Sequence, residues 1–163
     1  MRRDGHPRPP WWKGTRGEWW VAGQGILLAA VAVAPAAWRW NAPSHTVWAA
    51  LGAALIIAGL GLAVPAIIEL GPNLTALPRP RRKGVLVQTG VYAEARHPIY
   101  GGLIIAAAGW ALWRTSGLHL LLGGALAIYL NAKALHEEVL LRERFPEYDA
   151  YRARTKRLIP RVF

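Results

Sequence analysis

The residues best able to do chemistry sit at 90–102, reading GVYAEARHPIYGG, where a guanidinium and an imidazole, Arg96 and His97, stand directly before a proline. That proline opens an apolar run. Proline is tolerated in the first turn of a helix, because the N–H it lacks would be unbonded there anyway. The same turn offers free backbone N–H groups and a positive dipole end to an anion. Arg96, His97 and the amides of Ile99 and Tyr100 are therefore expected to converge on one patch. The plainer alternative has Arg96 reaching up to headgroups and His97 merely capping the helix. A second acidic-basic cluster follows at 133–142, where Lys133–Glu137 and Glu138–Arg142 have i,i+4 spacing. Spacing alone reads both as solvated ion pairs.

These groups are embedded in a chain of 163 residues, 53% of them hydrophobic, with a formal net charge of +11 and no cysteine. The missing cysteine excludes disulfides, a thiol nucleophile and thiolate metal sites, and no metal site is expected. The apolar residues are bunched into runs, which argues for a membrane protein. Basic residues flank the runs instead of forming one face, so anionic lipid fits the charge better than nucleic acid.

Four runs can be placed. Residues 19–38 are twenty positions without a charge, about the ~30 Å of hydrocarbon that a helix rising ~1.5 Å per residue must cross. A cleaved leader competes, since Ala32, Ala34 and Ala36 are suitably spaced, but the run is long for one and further spans follow. Residues 46–70 form the second run, with a kink expected at Pro65. Its Gly59-x-Gly61 pair follows no strand, so close helix packing is expected there and not phosphate binding. Glu69 near its end is available to a polar pocket. Residues 99–113 are short for a span, roughly 22 Å, which would hold Arg96 and His97 at partial membrane depth. The fourth run, 118–134, passes into an amphipathic helix leaving the membrane, with His119 near its start expected to face headgroups.

Lys and Arg alternate cleanly by segment: five precede the first run, one follows it, five lie in the 71–96 loop, one follows the third run and eight lie in the tail. By the positive-inside rule both termini and the long loop are cytoplasmic, and the tryptophans at the run ends supply an aromatic belt. The expected architecture is thus all-α and integral to the membrane. It has four transmembrane helices, a C-terminal amphipathic helix and a cytoplasmic pocket. The expected divisions are a basic tail at 1–18, ordered only where Trp11 and Trp12 meet an interface, two spans at 19–70 and a core at 71–163. The basic knot Arg79, Arg81, Arg82 and Lys83 in the long loop reads as lipid-facing.

From 70 onward, LGPNLT, LVQTGVYAEARHPIYGG and HEEVLLRERFPEYDAYRARTKRLIP resemble the isoprenylcysteine carboxyl methyltransferases and related membrane methyltransferases, including those acting on phospholipids. Pro146 stands where that family often has glycine, and Lys156 where a proline is common. The resemblance implies methyl transfer from S-adenosylmethionine to a lipophilic or lipidated acceptor, with a carboxylate acceptor first in view. It implies that Val91, Tyr92, Arg96, His97, Ile99, Tyr100 and Glu137 line the cofactor pocket. Within that pocket, His97 and the amides near Ile99 and Tyr100 would take the cofactor's carboxylate or ribose. Glu137 would take its ammonium, and Val91, Tyr92 and Tyr100 its adenine or sulfonium. Arg157 and Arg154, with Glu69 and Asn73, would meet the acceptor, while Glu138 would brace the fold through Arg142. Arg96 and His97 are the candidates for a direct catalytic part, and no general base is assigned. Phospholipid or small-lipid N-methylation and thiol S-methylation stay open as acceptor classes. A sterol-type reductase using NADPH and a non-enzymatic scaffold holding anionic lipid are the rival functions.

Overall fold

A computed structural model describes residues 17–40, 45–81 and 83–163. Expectations for Trp11 and Trp12, for most of the 1–18 tail and for Arg82 lie outside the described residues. Within them the chain is helical and has no strand: α1 (Glu18–Val33), α2 (His45–Leu70), α3 (Pro98–Trp113), α4 (Gly117–Arg144) and α5 (Tyr148–Arg154), with single 3-10 turns at Gly71–Asn73 and Gly90–Ala93.

Two of these helices are long and apolar enough to cross a membrane. The best 18-residue stretch of α2, taken with its following turn, has mean hydropathy 2.4 and is only 22% buried, and that of α4 has mean hydropathy 1.4 and is 28% buried. A soluble core helix would bury such surface; here Ile57, Ile68, Leu121 and Ile128 point outward. α1 and α3 are apolar but span 16 residues each, roughly 24 Å at helical rise. α1 stops at Val33, well short of the expected residue 38, because Ala34 precedes Pro35 and adopts ψ 143°. The ring of a following proline disfavours helical ψ. α2, by contrast, continues through Pro65 to Leu70.

The polar continuation of the fourth run is also different from expectation. It is no separate helix: α4 runs unbroken for 28 residues to Arg144, and only α5 is a new element. The unbroken helix carries Lys133, Glu137 and Glu138 from the apolar bundle directly to its polar end. At the other end, Ser116 caps α4 by accepting from the His119 amide. His119 does not face headgroups. It is fully buried, its Nδ1 2.9 Å from Ser116 Oγ, which in turn donates to the Ala37 carbonyl.

Helices α2 and α3 are joined by a glycine seam of reciprocal contacts. A Cβ on Gly59 would stand 2.5 Å from the Gly102 carbonyl and one on Gly52 2.6 Å from that of Gly109, with the converse distances the same. Seven-residue spacing on both antiparallel helices lets the backbones meet twice on one face. Gly61 has open space around its Cα and takes no part. On the other side of α3, Ala107 packs with Leu126 and Leu130 of α4 and Val31 of α1.

The seam yields a direct contrast. Gly59→Ala must push backbone against backbone and should lower stability by about 1–3 kcal/mol, whereas Gly61→Ala should be neutral or stabilising by up to ~1 kcal/mol. Thermal unfolding of both variants in one detergent measures the difference, and equal midpoints would remove the seam from the account.

Candidate functional site

Adjacent residues on an α-helix point about 100° apart, so Glu137 and Glu138 face different neighbours. Glu138, its side chain 3% exposed, turns toward the C-terminal segment. There its Oε1 lies 2.9 Å from Arg96 Nε, 3.5 Å from Arg157 Nε and 3.6 Å from His97 Nε2, and its Oε2 3.6 Å from Arg152 Nε. Glu137 turns toward α3 and the long loop. Its Oε1 accepts from the Tyr100 hydroxyl at 2.8 Å and lies 3.8 Å from Lys133 Nζ, while its Oε2 is 3.5 Å from His97 Nδ1. The His97 imidazole therefore stands between the two acids, and it lies parallel to the Tyr100 ring with centroids 5.6 Å apart.

Neither glutamate is a solvated surface group, and Arg142 is not Glu138's partner. Arg142 pairs instead with the exposed Asp149 at 2.9 Å. Nor does Arg96 reach up to headgroups. Its side chain is 7% exposed, and the guanidinium bonds Glu138 and donates to the carbonyls of Thr155 and Arg152. Backbone bonds complete this clamp: Arg96 N donates to Lys156 O (2.9 Å), His97 N to Arg157 O (2.8 Å) and Lys156 N to Glu94 O (2.9 Å). Gly101 is required beside it, because the Leu158 carbonyl occupies the position of a Cβ there.

Over Glu137 and Tyr100 lies a cavity of about 150 Å³. Tyr92, Arg96, His97, Ile99, Tyr100 and Glu137 line it, as does Asn73, all of them residues singled out from the sequence. Its remaining wall comes from the long loop, including Gly84, Val85, Leu86 and Val87, and from Leu141, Phe145, Tyr148 and Tyr151. Two bonds shape the loop. Asn73 Oδ1 accepts from Val85 N at 2.9 Å, and both Glu69 oxygens accept from Val91 N, at 3.0 and 3.3 Å. Glu69 is thus a cap for the Gly90–Ala93 turn, and neither it nor Val91 lines the cavity. The Tyr100 amide is likewise committed, to the His97 carbonyl at 3.1 Å.

Of the residues expected to meet the acceptor, Asn73 is on the cavity wall, and Glu69, Arg154 and Arg157 are not. Arg157 donates to Asn131 Oδ1 at 3.1 Å and lies over the Phe163 ring, and Arg154 is exposed and bonds the Gln88 side chain. Arg81, which the sequence assigned to a lipid-facing knot, reaches the cavity instead.

One residue escaped the sequence reading, and another was read there as half of a solvated ion pair. Tyr148 is 1% exposed, lines the cavity and has no hydrogen-bond partner for its hydroxyl among the described residues; it forms a tyrosine wall with Tyr151, whose hydroxyl donates to the Tyr92 carbonyl at 2.7 Å. Burial pushes the Tyr151 phenol up to about 12 and raises those of Tyr92 and Tyr148 further, so all three are neutral donors at ordinary pH. The aromatic spacing in PEYDAY was the available signal. Lys133, 1% exposed, is the other; its lone position in an apolar run was the clue.

The arrangement is a polar cavity at the end of an apolar helical bundle, lined by one acid, one imidazole, several phenols and two arginines. Residues 47–148 match the model of the phospholipid methyltransferase family, more than half of the chain, and the chain belongs to that family. The nickel-cobalt-cadmium resistance protein NccN of Alcaligenes xylosoxydans xylosoxydans is 35% identical over 83 residues, 50% of this chain and 39% of that protein. The chain therefore matches well under half of that relative's length.

The carboxylate at 138 sets an expected stability difference. Glu138→Ala strands Arg96 without its buried partner and should cost about 3–5 kcal/mol, while Arg142→Ala, breaking an exposed pair, should cost under ~1 kcal/mol. Unfolding midpoints compared in the same detergent check the assignment, which fails if Arg142→Ala is the more damaging.

Proposed function

We propose that the chain transfers a methyl group from S-adenosylmethionine to a lipophilic acceptor that reaches the pocket from the membrane. The observation that carries this reading is the donor set of the cavity: a carboxylate (Glu137), two phenol faces (Tyr92 and Tyr100), an imidazole (His97) and an unpartnered buried hydroxyl (Tyr148). S-adenosylmethionine presents an ammonium, a carboxylate, a sulfonium and an adenine, and the set offers a match for each. Glu137 takes the ammonium through Oε2, the oxygen not bonded to Tyr100. His97 and the Ile99 amide take the carboxylate or ribose, and the tyrosine rings pack on the adenine or sulfonium. Tyr148 donates to one of the remaining acceptors. Val91 serves through the turn that Glu69 caps.

The bound donor supplies a methyl carbon already activated by its sulfonium. The protein's work is then to orient the acceptor and exclude water, functions suited to a pocket closed by a loop and α5. A carboxylate acceptor needs no general base, and we favour an acidic acceptor because Arg81 and Arg96 line the cavity. Arg154 and Arg157 then act at its approach, not in contact. On this reading the acceptor chemistry is like that of the isoprenylcysteine carboxyl methyltransferases. An amine acceptor is the second reading, favoured by the family match itself, and His97 would be its base. A methyl ester is released by mild base and a methylated amine is not, so products made with labelled donor separate the two.

In this proposal α1 and α3 complete a four-span bundle, made short by the clamp and by Pro35, with 1–18 as a basic tail, 19–70 as the first two spans and 71–163 as the methyltransferase core. Both termini and the pocket face the cytoplasm.

S-adenosylhomocysteine at 100 times its dissociation constant should stabilise the protein by ~2.7 kcal/mol in a detergent thermal shift, and NADPH should not. Glu137→Gln should weaken its binding by about 10-fold, the loss of a charge-assisted bond of ~1.5 kcal/mol, and Tyr148→Phe by roughly 5-fold. Calorimetry reads both; unchanged affinity in Glu137→Gln sinks the ammonium assignment.

A further inference from the structure

Lys133 is a cation with almost no access to solvent, in a helix read as membrane-spanning, and it does not line the cavity. Such a residue is expensive to bury, and its partners indicate its use. Two of its N–H donors are hydrogen-bonded, and its charge faces a third group. Nζ lies 2.6 Å from Gln24 Oε1 of α1, 3.0 Å from the Ala76 carbonyl of the long loop and 3.8 Å from Glu137 Oε1, with the Tyr100 ring centroid at 5.2 Å. Ala76 sits between Thr75 and Leu77, both of which line the cavity. One ammonium thus joins the first helix, the cavity roof and the cavity acid.

We propose that Lys133 is a positioning residue that clamps the 74–87 loop and the Glu137 carboxylate to each other, with Gln24 of α1 as its third anchor. Its bearing on ligand binding rests on the reading of the pocket given above. The geometry explains why α1, which packs on α4 and lends no residue to the cavity, belongs to the site. Gln24 accepts from Lys133, and the clamp holds Glu137 Oε1 so that Oε2 is left toward His97 and the cavity. A neutral side chain at 133 would free the Ala76 carbonyl and let Glu137 swing. Arginine keeps the charge and donors, so it should preserve much of the clamp.

The test is a double-mutant cycle, which reports coupling between two groups when their effects fail to add. Wild type, Lys133→Met, Lys133→Arg, Glu137→Gln and Lys133→Met/Glu137→Gln are titrated with S-adenosylhomocysteine by calorimetry. Lys133→Met should weaken binding about 10-fold, Lys133→Arg no more than about 3-fold, and the double variant no more than Glu137→Gln alone. Multiplying losses, or unchanged affinity in Lys133→Met, would overturn the clamp. Hydrogen exchange without ligand supplies a second readout: amides at 74–87 should exchange faster in Lys133→Met and in Gln24→Leu, but not in Leu126→Ala, a core variant away from the clamp. Failure of the wild type to bind S-adenosylhomocysteine would end the methyl-donor reading and leave the clamp to the exchange result, where unchanged protection at 74–87 in Lys133→Met refutes it.

Discussion

The ion pair between Arg96 and Glu138 is the interaction on which the rest depends. Two opposite charges, both nearly excluded from water, are tolerable only if each is also hydrogen-bonded, since desolvation can otherwise exceed their attraction. Arg96 meets that condition with carbonyls at 152 and 155, and the charge of Glu138 is further offset by the guanidinium groups of Arg152 and Arg157, at 3.6 and 3.5 Å. Satisfying the pair therefore requires three separated parts of the chain at once: the threshold of α3, the second half of α4 and the segment after α5. The backbone bonds between 94–97 and 156–157 follow from the same constraint. Once these parts are fixed, Tyr148 and Tyr151 come to rest as one wall of the cavity, and Glu137, one residue along α4, has no choice but to face its interior.

How much of this could be read in the sequence depended on whether the signal was local. Pro98 at a helix start, the i,i+4 relation of Lys133 and Glu137, and the close-packing role of Gly59 are set within a few residues, and the structure has all three. Glu138 was assigned to Arg142 for the same local reason, and there the reasoning failed. Helical spacing says which side chains are neighbours on an exposed face but not what lies opposite, and opposite Glu138 stands Arg96, 42 positions away. His119 failed likewise, because Ser116 and the carbonyl of Ala37 come from a cap and a connection that periodicity does not report. The end of α1 was legible in principle: Pro35 was visible, but an uncharged run of twenty residues was given more weight than the conformation of the residue before a proline.

Short helices and a buried polar cluster are two sides of one geometry. The connection between α2 and α3 meets α4 where the Ala76 carbonyl accepts from Lys133, and it shares the cavity wall with Glu137. Irregular backbone against a helix bundle must have its buried polar groups paired. The loop satisfies its own polar groups through Asn73, Glu69 and Lys133. The glycine seam allows this: with α2 and α3 in backbone contact, the start of α3 is tied to the end of α2, and Glu69 can reach the Val91 amide.

His97 shows how the two acids divide their labour. In its neutral form an imidazole carries one N–H and one lone pair, yet here each ring nitrogen faces a carboxylate, at 3.5 and 3.6 Å. Neither distance is a close hydrogen bond. Glu138 loses little by this, having Arg96 at 2.9 Å, whereas Glu137 Oε2 has no nearer ion-pair partner among the described residues. Of the four carboxylate oxygens at the site, the two Oε2 atoms have no partner nearer than 3.5 and 3.6 Å, and only that of Glu137 belongs to an acid on the cavity wall. The clamp by Arg96 confines Glu138 to structure; the looser hold on Glu137 leaves it available for a ligand's positive charge.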